Sequence, residues 1–269
     1  MYVVTVGVSD YNDKNFKLNY AAKDAGDIAK LFQKSDAYAN VYTKVYVNKE
    51  VTSKCIEEIK AFLAKAGTND EVILFFAGHG VLDQHFDYYF ATVDLDFNNP
   101  SVNGIPYPSI ESVMDGLAAL KKTLIMDTCH IGEIDKNDVT KIDEKALGNN
   151  SISFRSSGQG VGRKNLGLAQ TNELMKEMFV DLRKGTGANV ISSAGGYELA
   201  KEGEEWSNGL FTYVMMDGIK SMKADLDKNG KIMISELKSY VGDKVMELSG
   251  GTQLPTSRME NISFDYRVW

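Results

Sequence analysis

Val72-Ile73-Leu74-Phe75-Phe76-Ala77-Gly78-His79-Gly80 and Leu124-Ile125-Met126-Asp127-Thr128-Cys129-His130 are the two stretches that decide how the chain folds. Each is a short apolar run without helical spacing, so each reads as a buried strand, and each delivers a reactive side chain at its carboxyl end. In an open parallel sheet that edge is where ligands bind, because the loops leaving it are free to form a crevice. A Cys and a His on neighbouring strands would meet there. The chemistry wants them close: thiolate is the nucleophile, and imidazole must later protonate a leaving amine. Gly78 and Gly80 let a substrate backbone approach, and the Gly80 N–H is placed to join that of Cys129 as an oxyanion donor. Taken alone, such a Cys is ordinary core and such a His an ordinary hydrogen-bonder in a turn. The pair in matching contexts carries the reading.

The two runs are expected to be strands over 71–77 and 123–127, and outward from them strand-like segments recur at 2–8, 41–47 and 189–194. Helical spacing fills 20–34, 52–66, 109–120, 169–184, 208–223 and 235–248, and a final strand-like run covers 262–268. Strands alternating with helices imply an α/β fold with a mostly parallel sheet covered on both faces and an antiparallel strand allowed at one edge. A single domain is expected over 1–269, with the Cys and His in 1–132, a Gly-, Ser- and Lys-rich linker at 133–170 and a second part at 171–269. A net charge of −7 and a pI near 5.1 argue against nucleic acid as partner. No apolar run approaches the length that spans a bilayer. Two cysteines, Cys55 and Cys129, are too few for a disulfide framework, so a reducing, cytoplasmic setting is the simpler expectation.

Strand-Gly-His-Gly followed by strand-Asp-x-Cys resembles the signature of the caspase superfamily, clan CD of the cysteine peptidases, in its metacaspase and paracaspase branch. The opening Val6-Gly7-Val8-Ser9-Asp10-Tyr11 with Leu18-Asn19-Tyr20-Ala21-Ala22-Lys23-Asp24-Ala25 is similar too, as are Val190-Ile191-Ser192-Ser193-Ala194 and Gly209-Leu210-Phe211-Thr212. The resemblance implies a caspase-like three-layer sandwich, a His79–Cys129 dyad, and peptide or protein substrates. It further implies that Asp24 and Asp127 line a pocket for a basic side chain before the scissile bond, where Arg bonds a carboxylate bidentately. Asp24 has a plainer reading as a cap or solvating residue of the first helix. The family's small residue two places after the nucleophile is here Ile131, which bears on the shape of the oxyanion loop. His130, adjacent to the nucleophile, cannot turn its ring onto the same sulfur, and His85 and Cys55 read as structural. Within the linker, Arg155, Arg163 and Lys164 are candidate self-cleavage positions.

The run from Asp225 to Glu236 matches a calcium-binding EF-hand loop at positions one, three, five, six, eight and twelve. Asp225, Asp227, Asn229, the Lys231 carbonyl and Glu236 would supply the oxygens; an unliganded structural turn is the alternative. The peptidase chemistry itself needs no cofactor, so Ca²⁺ is the only one implied. Two rival functions stay open on the residues: a catalytically impaired relative acting as a binding module, favoured by Ile131, and a calcium-responsive interaction domain. The sequence does not fix an oligomeric state.

Overall fold

The computed structural model describes residues 1–83, 85, 87–131, 152–154, 187–193, 200–258 and 264–269, with the backbone alone for 129–131, 152–154 and 258. Its main sheet has the order β11-β8-β6-β3-β1-β2, where β1 is Tyr2–Gly7, β2 Tyr42–Val47, β3 Glu71–Leu82, β6 Lys121–Ile131, β8 Asn189–Ser192 and β11 Thr256–Arg258. All neighbours along it are parallel except β11, which runs antiparallel to β8 and forms the expected antiparallel edge. β3 is buried along its whole length. That is the mark of a central parallel strand with helices on both faces, and it explains the unbroken apolar run in the sequence.

Five α-helices are described: α1 Ala21–Phe32, α2 Cys55–Leu63, α3 Tyr107–Met114, α4 Leu210–Lys220 and α5 Ile234–Ser249. α1 packs on β1, β2 and β3 and touches α4, which packs on α5, while α2 and α3 pack together. α1 buries Ala25, Ile28, Ala29, Leu31 and Phe32 along one stripe. Each of its large apolar side chains contributes about 1.5–3 kcal/mol by burial. Gly7 lets α1 lie this close, because a Cβ there would collide with the Ala21 carbonyl oxygen and the Ala25 side chain.

Several expectations need correction. The two motif strands do not stop at residues 77 and 127. β3 continues to Leu82 because a hairpin partner, β4 (Tyr88–Phe90), takes up its ladder from Gly80 onward, and β6 continues beside it to Ile131. The third helix ends at Met114, short of the expected Leu120, where Gly116 turns the chain at φ 70°. The described residues of the run 262–268 form only an isolated bridge, Met233 with Arg267, so the edge strand is β11. Also unforeseen are β5 (Ile105–Pro106), which pairs with β4, and a small antiparallel sheet of β7 (Ile152–Phe154), β9 (Lys201–Gly203) and β10 (Asn208–Gly209). The helix expected at 169–184 and the rest of the linker lie outside the described residues. Among the described residues no helix is long and apolar enough to cross a membrane.

Candidate active site

Parallel pairing of β3 with β6 sets His79 opposite Cys129 and Gly80 opposite His130. Neighbouring strands lie about 4.8 Å apart, so the two backbone positions are adjacent although they are distant in sequence. The residue before Cys129 is fixed on two sides. The Tyr88 hydroxyl donates to Thr128 Oγ1 at 3.0 Å, and Ser193 Oγ donates to the Thr128 carbonyl at 3.2 Å.

His79 is 1% exposed. Its Nε2 lies 2.8 Å from the Phe16 carbonyl oxygen, which can only accept, so in the neutral ring that nitrogen carries the proton and Nδ1 does not. The imidazole sits in an aromatic box: Tyr11 at 5.0 Å between ring centroids, with Phe16 and Phe97 meeting it edge-on at 6.1 and 5.9 Å. Gly80 occupies β3 between β6 and β4, with Phe90 as its partner on the hairpin side.

Asp24 and Asp127 are both fully buried, and they reach the same short stretch of chain at the start of α4. Asp24 Oδ1 accepts from Asn208 Nδ2 at 2.7 Å, and its Oδ2 accepts from the Gly209 N–H at 3.1 Å. Asp127 Oδ2 accepts from Thr212 Oγ1 at 2.6 Å. Asp24 therefore does not cap its own helix; it serves the N-terminus of α4, where the backbone dipole favours negative charge. Sequence reading missed a third buried carboxylate, Glu202 on β9, which pairs with Gly209 of β10 and accepts from the Asn19 and Tyr20 N–H groups at 2.8 and 3.3 Å. An isolated Glu in Ala-Lys-Glu-Gly carries no periodic signal. Only its burial marks it.

The profile of the caspase domain matches residues 2–265. The chain belongs to the caspase-domain family of peptidases. The crystal structure of protein GSU0716 from Geobacter sulfurreducens is similar to this caspase-domain chain with a TM-score of 0.59 and 17% identity, covering 96% of this chain and 92% of that one. At that identity the likeness concerns the fold. No curated protein sequence matches the chain.

The EF-hand-like loop of this caspase-domain chain lies between α4 and α5. Carboxylate oxygens of Asp225, Asp227 and Glu236 fall within 4.8 Å of one another. Gly230 turns at φ 80°, and the Asp225 and Asp227 carboxylates both accept from the Asn229 N–H, at 3.0 and 3.1 Å. Asn229 Oδ1 accepts from the Lys231 N–H at 2.9 Å. The incoming helix departs from the usual hand, since α4 ends at Lys220 and Met222 sits at φ 55° before the loop begins. At position eight, Ile232 exchanges backbone bonds with the chain's own C-terminal residues: its N–H donates to Trp269 and its carbonyl accepts from Val268. The second cysteine, Cys55, opens α2, where burial pushes its thiol up to about 11. A thiol so protonated is inert. Arg155, Arg163 and Lys164 lie outside the described residues.

Proposed function

We propose that the chain is a cysteine endopeptidase that cleaves after Arg or Lys, with Cys129 as nucleophile and His79 as acid and base. The observation that carries this reading is the β3–β6 register, which pairs His79 with Cys129 in a chain whose family is that of caspase-domain peptidases. Cys129 Sγ gives its proton to His79 Nδ1 and attacks the scissile carbonyl carbon. The oxyanion is met by the Gly80 and Cys129 N–H groups. The tetrahedral adduct collapses to an acyl-enzyme as His79 protonates the leaving amine, and water, deprotonated by His79, then releases the acid.

The basic preference is supported by three buried carboxylates, Asp24, Asp127 and Glu202, gathered around the start of α4 and β10. A cationic side chain would neutralise them in a site of low dielectric. Peptidase activity that vanishes in Cys129→Ala and His79→Ala and persists in Cys55→Ala is the expected result. Wild-type turnover by Cys129→Ala would overturn the assignment. The rival, a binding module without catalysis, is favoured by Ile131, and labelling of Cys129 by a thiol-directed peptidyl probe separates the two.

The donor set of the 225–236 loop, three carboxylates with an Asn amide and the Lys231 carbonyl, suits a hard divalent cation, and Ca²⁺ is the ion proposed for it. Bound there, the ion supplies charge neutralisation and order to the α4–α5 connection. The chemistry of peptide cleavage does not pass through it.

A further inference from the structure

The loop that follows β1 touches His79 twice. Phe16, in a 3₁₀ turn at Lys14–Phe16, accepts from the imidazole Nε2–H. Tyr11, fully buried in the same loop, accepts from the backbone N–H of His79 through its hydroxyl at 3.0 Å. The second contact answers a defect in the sheet. β1 accompanies β3 as far as Ala77, and β4 takes over at Gly80. The His79 N–H falls at the changeover, and in a buried strand an unmet donor costs as much as a lost hydrogen bond. The Tyr11 hydroxyl stands in the place of the missing strand.

The same hydroxyl explains Gly78. That residue lies at φ 154°, and a Cβ there would come within 2.9 Å of Tyr11 Oη and 3.2 Å of the Phe90 ring. The glycine beside the base is thus the space the tyrosine fills. The loop is itself anchored: the Ser9 and Asp10 N–H groups donate to Asn48 Oδ1, Asn12 N–H donates to the Val93 carbonyl, and Leu18 N–H to the Ser9 carbonyl. Phe97 stacks on Phe16 with centroids 3.5 Å apart and meets Tyr11 edge-on at 5.6 Å, closing the frame.

We propose that Tyr11 is a positioning residue for the peptidase reaction, holding the His79 backbone at the strand changeover while Phe16 holds its ring, so that Nδ1 stays aimed as the base. This rests on the peptidase reading given above, so the test has one arm that needs no turnover. The chain has three histidines, and His85→Asn and His130→Asn assign the ¹⁵N imidazole resonances. In the wild type His79 should give the shifts of a single Nε2–H tautomer. Tyr11→Phe keeps the ring and removes the acceptor, and the two nitrogens should then average toward each other. In the kinetic arm Tyr11→Phe should lower kcat about tenfold with KM unchanged, because misplacing a catalytic group erodes rate more than binding. Phe97→Leu leaves the hydroxyl in place but loosens the frame, and serves if Tyr11→Phe does not fold; it should cause a smaller loss of kcat with the same drift in tautomer. Unchanged His79 shifts and unchanged kcat in the folded variants, with only a lower melting temperature, would make Tyr11 mere core and overturn the proposal. Absence of any turnover in the wild type would count against the peptidase reading, and the imidazole spectra would still decide on Tyr11.

Discussion

Two cysteines and three histidines give this chain several ways to pair a thiol with a base, and their surroundings separate them. Burial holds the Cys55 thiol protonated to about pH 11, whereas Cys129 stands opposite His79. Charge is as telling as reactivity. Asp127→Asn preserves an oxygen for the Thr212 hydroxyl and removes only the negative charge, so it should leave the melting temperature nearly unchanged. Loss of a desolvated charge partner costs about 2–5 kcal/mol, and kcat/KM for an Arg peptide should fall accordingly while that for an apolar peptide does not. Equal losses on both peptides would show that Asp127 serves the fold and not the pocket. The two aspartates were picked out through the resemblance to caspase-like peptidases, and the structure brings both to the start of α4. Glu202, Tyr11 and Phe16 were not, because their partners lie far along the chain: Glu202 meets Asn19, and Tyr11 and Phe16 meet His79. No local pattern encodes such contacts.

Elements with strong periodicity were readable. β1, β2 and α1 fall close to where apolar spacing put them, and the errors lie where tertiary pairing overrides local signals. β3 outruns its expected end because β4 offers a ladder, β6 follows by staying paired with β3, and β11 was invisible because a three-residue edge strand has too few positions to show alternation. α1 begins at Ala21 with Tyr20 as an N-cap that makes no side-chain bond, and the N–H groups at its start are met from elsewhere: Ala22 by Ser9 Oγ at 2.9 Å and Tyr20 by Glu202. The 225–236 loop is tied through Ile232 to Val268 and Trp269. Beside them Tyr266 donates its hydroxyl to the Lys122 carbonyl at the foot of β6. Ca²⁺ binding should therefore order the C-terminal segment along with the loop, raising the melting temperature with ion concentration as expected of a ligand that binds only the folded form. Calorimetric titration should give a measurable affinity that Glu236→Gln weakens. No heat at millimolar Ca²⁺ would reduce the loop to a turn.

At the scale of the whole molecule, the edge of the sheet opposite the candidate site carries an ill-satisfied buried carboxyl group. Glu71 opens β3 and is fully buried, neither carboxylate oxygen meets a partner at hydrogen-bonding geometry, and burial pushes its pKa up to about 7, with Tyr38 and Lys121 offsetting only part of the effect. A folded pKa above the ordinary 4.5 means that the folded protein keeps a proton the unfolded chain has released. The contribution is complete below about pH 4.5 and is lost as pH rises toward 7, on the order of 3 kcal/mol in all. Glu71→Gln should flatten that part of the stability profile in urea unfolding and be the more stable protein at pH 8; an unchanged profile would show that Glu71 is ionised when folded. The linker adds a prediction about the chain as a substrate of itself. Intact mass should show two fragments in the wild type, cut after Arg155, Arg163 or Lys164, and one chain in Cys129→Ala; an uncut chain in active wild type would remove self-processing from the account. The most direct test of the central claim is hydrolysis of matched peptides that differ only at the residue before the scissile bond, Arg, Lys, Asp or Leu, by wild type and Cys129→Ala. Cleavage after Arg and Lys alone, absent in Cys129→Ala, is the expected result, and cleavage after Asp or Leu, or any turnover that survives loss of the thiol, would contradict it.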